Sequence, residues 1–239
     1  MHNDETDSFP ATTTSLEQRR RNIEYLRDNE FKDFNPDSGI LSELTIEPHK
    51  LKIANEFEQK IWMEEGYGSL DEYEEHIKHA ITFASFNAEN ECKAIARLFQ
   101  GKNVIPPFIT ELPFYDNELK RNLISQYKKG TIQELGTIAV SKELRNGFLF
   151  ETLARMAYRY SYTRGIQYWG IIMEPGRVEK MNKNYGFTFK QLGDSSYYQG
   201  GYCAPFLMNL QEVNDSMSTR FPDIYNWFVK LPLNNAVNN

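Results

Sequence analysis

The stretch TIQELGTIAVSKELRNGFLFETLARMAYRYSYTRGIQYWGIIMEPGRVEKMNKNYGF, residues 131–187, decides the fold. Its opening run, TIQELGTIAV (131–140), is rich in β-branched residues and reads as a strand. SKELRNG follows as a loop. Phe148 to Arg164 is then a long helix, because Leu149, Leu153, Met156, Ala157 and Tyr160 recur along one face. Gly165 closes that helix, as glycine does where the backbone must turn left-handed. IQYWGIIM (166–173) has the composition of a buried strand, and residues 176–187 form a second helix ending at Gly186.

Upstream, AITFASF (80–86) and CKAIARLFQ (92–100) read as two strands joined by the turn NAEN, an antiparallel hairpin. Residues 49–67 form an amphipathic helix with Leu51, Ala54, Phe57, Ile61 and Trp62 on one side. ILSELTIEP (40–48) is a short strand after the turn FNPDSG. VIPPFITELPFY (104–115) carries three prolines and reads as an irregular connection, with a short helix over Glu118 to Tyr127. Downstream, FTFKQLG and GGYCAPFLMNL supply two more strands. The order is that of an α/β (α+β) protein whose sheet is largely antiparallel at its start.

Residues 1–14 are polar and expected to be disordered, and 15–44 make an N-terminal extension with a helix from Ser15 to about Phe31. One domain is expected over 45–212, with 213–239 as a C-terminal extension that packs on it. The N-terminus lacks an apolar core and a basic leader, so a cytoplasmic location is expected. No apolar run approaches the roughly 20 residues of a membrane span. Cys92 and Cys203 are expected as free thiols.

The 239 residues carry a net charge of −6, yet residues 142–190 hold 9 Lys/Arg against 4 Asp/Glu. A basic segment in an acidic chain fits a face that receives an anionic group, or a solvated helix face. The acidic balance and the lack of a recognisable motif argue against nucleic acid. His76 and His79 have the spacing of neighbours on a helix, but no further Cys or His completes a metal set, so no metal is expected.

In order and spacing, ELGTIAV, SKELRNG, the long helix, IQYWGII and VEKMNKNYGF resemble the core of the GNAT acyltransferases. AIARLF (94–99), ELPF (111–114), ELGTIAV (134–140) and YGFTFKQLGDSSYYQGGYCAPFLM (185–208) look like one branch of that superfamily. That branch contains long-chain N-acyl amino acid synthases, acyl-homoserine-lactone synthases and exosortase-associated acyltransferases. It carries an Arg where Arg97 stands, a Glu where Glu134 stands, and a Tyr or His before Gly that Tyr198-Gln199-Gly200 matches approximately. The resemblance covers about residues 45–212 and implies a three-layer α/β/α fold with a mixed, mostly antiparallel central sheet.

It further implies an acyl donor arm lying between two splayed strands, at Ile138, Ala139 and Val140 on one and Trp169 and Ile171 on the other. A β-bulge near Ala139 would aim a backbone N–H at the thioester carbonyl. Acetyl-CoA-dependent relatives bind a diphosphate through a glycine loop at the long helix's N-terminus. Here Arg145 and Gly147 stand in that loop, but Leu144 and Leu149 replace the expected residues. Leu149 would hinder a diphosphate, which favours the phosphopantetheine arm of acyl carrier protein over acyl-CoA. Lys142, Arg155, Arg159 and Arg164 would then dock the acidic carrier, or else simply solubilise the helix. Asn182 occupies the position of the tyrosine that protonates the leaving thiolate in many relatives.

Acyl transfer to an amine needs a base, and Glu134, opening the strand into that gap, is the first candidate; an exposed strand-end glutamate is the alternative. Arg97, alone among apolar residues, faces either an acceptor carboxylate or a structural partner. The aromatic residues Phe83, Phe86, Phe99, Phe108, Phe114, Trp169 and Phe206 suit an acyl-chain pocket or an ordinary core. The expected activity is transfer of a fatty acyl group from acyl carrier protein to the amine of an amino acid or similar small acceptor. A lactone-forming signal synthase, a CoA-dependent N-acetyltransferase and a catalytically silent binding module are the rivals.

Overall fold

The computed structural model describes residues 31–100, 104–145 and 148–229. The expected helix from Ser15 and the loop residue Gly147 therefore lie outside the described residues. Among the described residues nine strands form the sheet: β1 (Lys32–Asn35), β2 (Ile40–Leu44), β3 (Ile81–Phe86), β4 (Cys92–Phe99), β5 (Ile132–Val140), β6 (Tyr168–Met173), β7 (Lys190–Gln191), β8 (Ser196–Tyr198) and β9 (Gly201–Asn209). They run in the order β1-β2-β3-β4-β5-β6-β9-β7, with β8 hairpinned on β9. Every neighbouring pair is antiparallel except β5 and β6, which are parallel.

One face of the sheet is covered by α1 (Pro48–Glu64), the short α2 (Glu74–Lys78) and α3 (Pro107–Thr110), and α4 (Asn117–Lys128). Pro48 supplies the preset backbone of a first helical turn in α1. The Asp116 side chain accepts from the Glu118 N–H at 2.7 Å and starts α4. The other face carries α5 (Leu149–Thr163), α6 (Pro175–Tyr185), α7 (Leu210–Arg220) and α8 (Pro222–Phe228). Gly186 ends α6 at φ 73°, the left-handed conformation its position required. The largest core lies on this second face, where Leu153, Ala157, Trp169, Phe206, Val213, Met217 and Phe228 pack together. Residues 213–229, read as an extension in the sequence, thus contribute to the main core.

Two irregularities set the shape of the sheet's centre. On β4, Arg97 faces Thr137 while the next residue, Leu98, faces Leu135. Gly136 is therefore the extra residue of a bulge on β5, three positions before the expected Ala139. A bulge bends its strand and sharpens the local twist. A Cβ on Gly136 would lie 2.2 Å from the Phe99 ring, so glycine lets that ring close over the bulge. The second irregularity is that β5 and β6 pair only at Ile132–Tyr168, Gln133–Trp169 and Glu134–Gly170. Beyond that point β5 stays bonded to β4 and β6 to β9, and the two part company.

Arg97 ties α1 to the sheet. Its Nε donates to Glu58 Oε2 at 2.6 Å, and its two terminal nitrogens donate to Thr82 Oγ1 at 2.9 Å and Asn55 Oδ1 at 2.6 Å. Arg97 and Glu58 side chains are each 1% exposed. Removing one member leaves the other as an unpaired buried charge, so Glu58→Ala should destabilise the protein by about 3–5 kcal/mol. The double change Arg97→Met with Glu58→Leu should restore most of that loss in urea unfolding. Equal instability of the single and double variants would contradict this account.

Candidate active site at the parting of two strands

Glu134 stands at the last paired position of β5, where the parallel pairing ends. It is buried, not exposed at a strand end as the alternative reading had it, and its Oε2 accepts from the Phe108 backbone N–H at 3.1 Å. Desolvation pushes its carboxyl up to about 8, helped by the nearby Glu111 charge and opposed by the Phe108 hydrogen bond. Gly170 opposite has no side chain because the Phe108 ring fills that space; a Cβ there would meet the ring at 2.4 Å. Phe99 and Phe108 thus press against glycines on either side of Glu134, which builds a dry pocket around one carboxyl.

An arc of aromatic side chains runs from α1 to this pocket. Trp62 meets Tyr67 and Tyr73 with ring centroids 5.9 and 5.6 Å apart. Tyr73 meets His76 at 6.1 Å, and His76 meets Phe99 at 5.4 Å. Half-buried His76 has its pKa lowered by desolvation, so the neutral imidazole is favoured. The Tyr73 hydroxyl shares a hydrogen bond with Tyr198 and accepts another from the Gln199 amide. Burial first, and then their mutual contact and the charges of Glu134 and Glu111, hold Tyr198 far above the usual phenol range.

The sequence placed Glu134 at this site but not Tyr73, His76 or the Phe108 amide. In the sequence His76 stands only as a helix neighbour of His79, and nothing in the polar stretch around Tyr73 marks that residue. Tyr198 was visible only through the approximate Tyr-Gln-Gly match.

Among the other candidates, Ile138, Ala139 and Val140 lie on β5 beyond the last pair, where its edge turns from β6. Trp169 and Gly170 are still within the paired part, and Ile171 is the first residue of β6 past it. The Trp169 side chain is core: its indole N–H donates to Ser161 Oγ at 2.8 Å. Ile171 is also buried on that face, so neither side chain faces the gap. Leu149 points into the main core at 1% exposure, which removes the steric argument against a diphosphate. Asn182 is held by both backbone groups of Phe189, at 2.9 and 3.1 Å. Phe83, Phe86, Trp169 and Phe206 are core, whereas Phe99 and Phe108 wall the pocket.

The basic run divides in two. At the far end of β5, Arg145 donates to Val140 O at 3.2 Å and to Glu65 at 2.9 Å, and Lys142 lies 3.3 Å from Glu64. Arg155 pairs with Asp33 and stacks on Trp227 at 4.2 Å, and Arg159 donates to the Trp227 and Phe228 carbonyls. Arg164 lies 3.5 Å over the Tyr160 ring. Arg155 and Arg159 thus fasten β1 and α8 to α5, while Arg164 stays against Tyr160 of its own helix. Among the described residues no cluster of three His, Cys, Asp or Glu would hold a metal, and no helix is long and apolar enough to cross a membrane. Cys92 and Cys203 are both free thiols, and burial pushes the Cys92 thiol up to about 12.

The Glu134 shift has a consequence for stability. Its pKa of about 8 in the folded protein lies above the usual 4.5, so folding takes up a proton between those values. The contribution is fully present below about pH 4.5 and is lost as pH rises through about 8. Melting temperature should therefore fall between about pH 5 and 8.5 in the native protein, and fall several degrees less in Glu134→Gln. Parallel declines in the two proteins would show that this carboxyl ionises as in water.

No protein-family model matches the chain, and no curated protein matches it in sequence. Solved structures do. FeeM, an N-acyl amino acid synthase from uncultured soil microbes, superposes with a TM-score of 0.57 at 15% identity, covering 74% of this chain and 94% of that one. The acyl-homoserine-lactone synthase LasI gives 0.53 at 15% identity over 72% of this chain and 91% of its own. BjaI, a CoA-dependent acyl-homoserine-lactone synthase, gives 0.52 at 15% identity over 72% and 82%. With its splayed central strands, three layers and one parallel pair, the chain has the GNAT-like fold that these synthases share.

Proposed function

We propose that this protein is an N-acyltransferase that moves a fatty acyl group from the phosphopantetheine thioester of acyl carrier protein to the amine of an amino acid or similar small acceptor. The observation that carries this reading is a buried carboxyl, Glu134, with a pKa of about 8, at the root of the gap between β5 and β6. An attacking amine must give up a proton as it becomes an amide, and a base of that pKa is matched to the task near neutrality. The likeness in fold to an N-acyl amino acid synthase supports the same chemistry.

In the reaction the donor arm lies along the unpaired edge of β5, between Gly136 and Val140. Backbone N–H groups there, re-aimed by the bulge, donate to the negative charge that develops on the thioester oxygen. Glu134 takes the amine proton as the C–N bond forms and the C–S bond breaks. Arg97 acts as a positioning residue: its guanidinium keeps α1 and the aromatic arc in place, and it does not hold the acceptor's carboxylate.

Two observations favour the carrier-protein donor over acyl-CoA. Glu151 sits in the first turn of α5, and one of its oxygens is buried without a partner. A carboxylate there opposes the positive end of the helix and repels a diphosphate. At the far end of β5, Lys142 and Arg145 provide cations for an acidic carrier, each balanced by a glutamate that the carrier's own acids would replace.

Intact-mass spectrometry of the protein with palmitoyl-carrier protein, palmitoyl-CoA and pooled amino acids tests the assignment. Faster loss of acyl from the carrier, with an acylated amine appearing, is the expected result; loss from CoA alone would overturn the donor. Turnover should rise with pH to a midpoint near the Glu134 pKa of about 8. Glu134→Gln should lower turnover by about 10²–10⁴-fold while remaining folded. Full activity in that variant would remove Glu134 from the mechanism.

A further inference from the structure

Tyr73 and Tyr198 come from segments 125 residues apart and place their hydroxyls in direct hydrogen bond. Tyr73 also accepts a hydrogen bond from Gln199 Nε2. Two phenols bring two protons, and the contact between them uses one. In either arrangement that contact leaves the second phenol proton unused. The surplus proton belongs to a pair near enough to Glu134 for that carboxylate's charge to raise both phenols.

The turn that carries this pair breaks a local rule. Gln199 and Gly200 link β8 to β9 in a two-residue hairpin, and both have positive φ, 45° and 85°. Such turns favour Asn, Asp or Gly at the first position, because other side chains are strained there. Glutamine costs stability at this point, and its longer side chain is what reaches the Tyr73 hydroxyl. Gly200 is required as well, since it lies against Tyr67, where a Cβ would fall 3.3 Å from the ring. Backbone strain retained for the reach of one side chain is a mark of function.

The reaction leaves a task for such a donor. When the C–S bond breaks, the electron pair goes to sulfur and the thiolate needs a proton. Asn182, at the position of the usual acid, is locked to the Phe189 backbone. We infer that the Tyr73–Tyr198 pair, oriented by Gln199, is the proton donor to the leaving sulfur. The inference rests on the acyl-transfer reading above. The protons balance for an acceptor that attacks as the neutral amine, its ammonium proton having gone to solvent: the amine gives one to Glu134, the phenol pair gives one to the thiolate, and Glu134 returns its proton to the phenolate for the next cycle. The products are an amide and a thiol, with no further reactant.

The test uses donors whose thiols differ in acidity. Wild type, Tyr198→Phe, Tyr73→Phe and Gln199→Asn would each be assayed with an alkyl thioester, palmitoyl-pantetheine, and an aryl thioester whose thiolate leaves unaided. All three variants should slow the alkyl donor by about 10–100-fold or more and the aryl donor by less than about threefold. Gln199→Asn keeps the turn and should melt no lower than wild type, which separates the lost reach from a folding defect. Equal slowing of both donors in the folded variants, or a change confined to the acceptor's KM, would overturn the assignment while leaving acyl transfer intact. No turnover of either thioester by wild type would overturn both.

Discussion

Beyond Glu134 and Gly170 the hydrogen bonds between β5 and β6 stop, although each strand keeps its outer partner. Backbone amides and carbonyls along two facing edges are thereby left without strand partners in the middle of a sheet. An unmade ladder is costly where it is buried, so a fold that keeps one open must have a use for it. The cause is local. The bulge at Gly136 turns β5 aside two residues after the last pair, and Phe99 and Phe108 occupy the space that side chains at 136 and 170 would need.

The same four residues create the electrostatics of the site. Rings packed on both sides of Glu134 exclude water from it, and desolvation is the largest cause of its raised pKa. Arg97 contributes at a distance. By binding Glu58 and Asn55 it pins α1, and α1 carries Trp62, from which the arc to Tyr73 and His76 extends. A guanidinium with three protein partners is a poor ligand for a substrate but a good anchor for α1 and the aromatic arc it carries.

Much of this was legible in the sequence, for identifiable reasons. Long periodic segments such as Phe148–Arg164 and the alternating hairpin strands depend on local pattern, and they lie within a few residues of where they were expected. Gly165 and Gly186 marked helix ends correctly. What stayed hidden depends on contacts distant in sequence. The bulge was expected at Ala139 and lies at Gly136, because its position follows from the register with β4 and from the Phe99 ring. Strand β1 goes unannounced in the sequence, where Phe34 and Asn35 fall in the turn FNPDSG, since Lys32–Asn35 pairs only through β2. Tyr73 and Tyr198 meet only after folding. The arginines of α5 show the limit of charge counting: a +5 segment reads as a docking face until Asp33, Trp227 and the Phe228 carbonyl claim them.

The central claim is that the gap between β5 and β6 receives the acyl donor's arm. Amide hydrogen exchange with a non-hydrolysable thioether analogue of acyl-pantetheine tests it directly. The account predicts slowed exchange at the edges of β5 from Gly136 to Val140 and of β6 from Ile171 to Met173, with little change elsewhere in the sheet. Tight binding with no protection there, and protection instead around Met63, Leu70 and Ile77 in the separate groove beside α1, would contradict it.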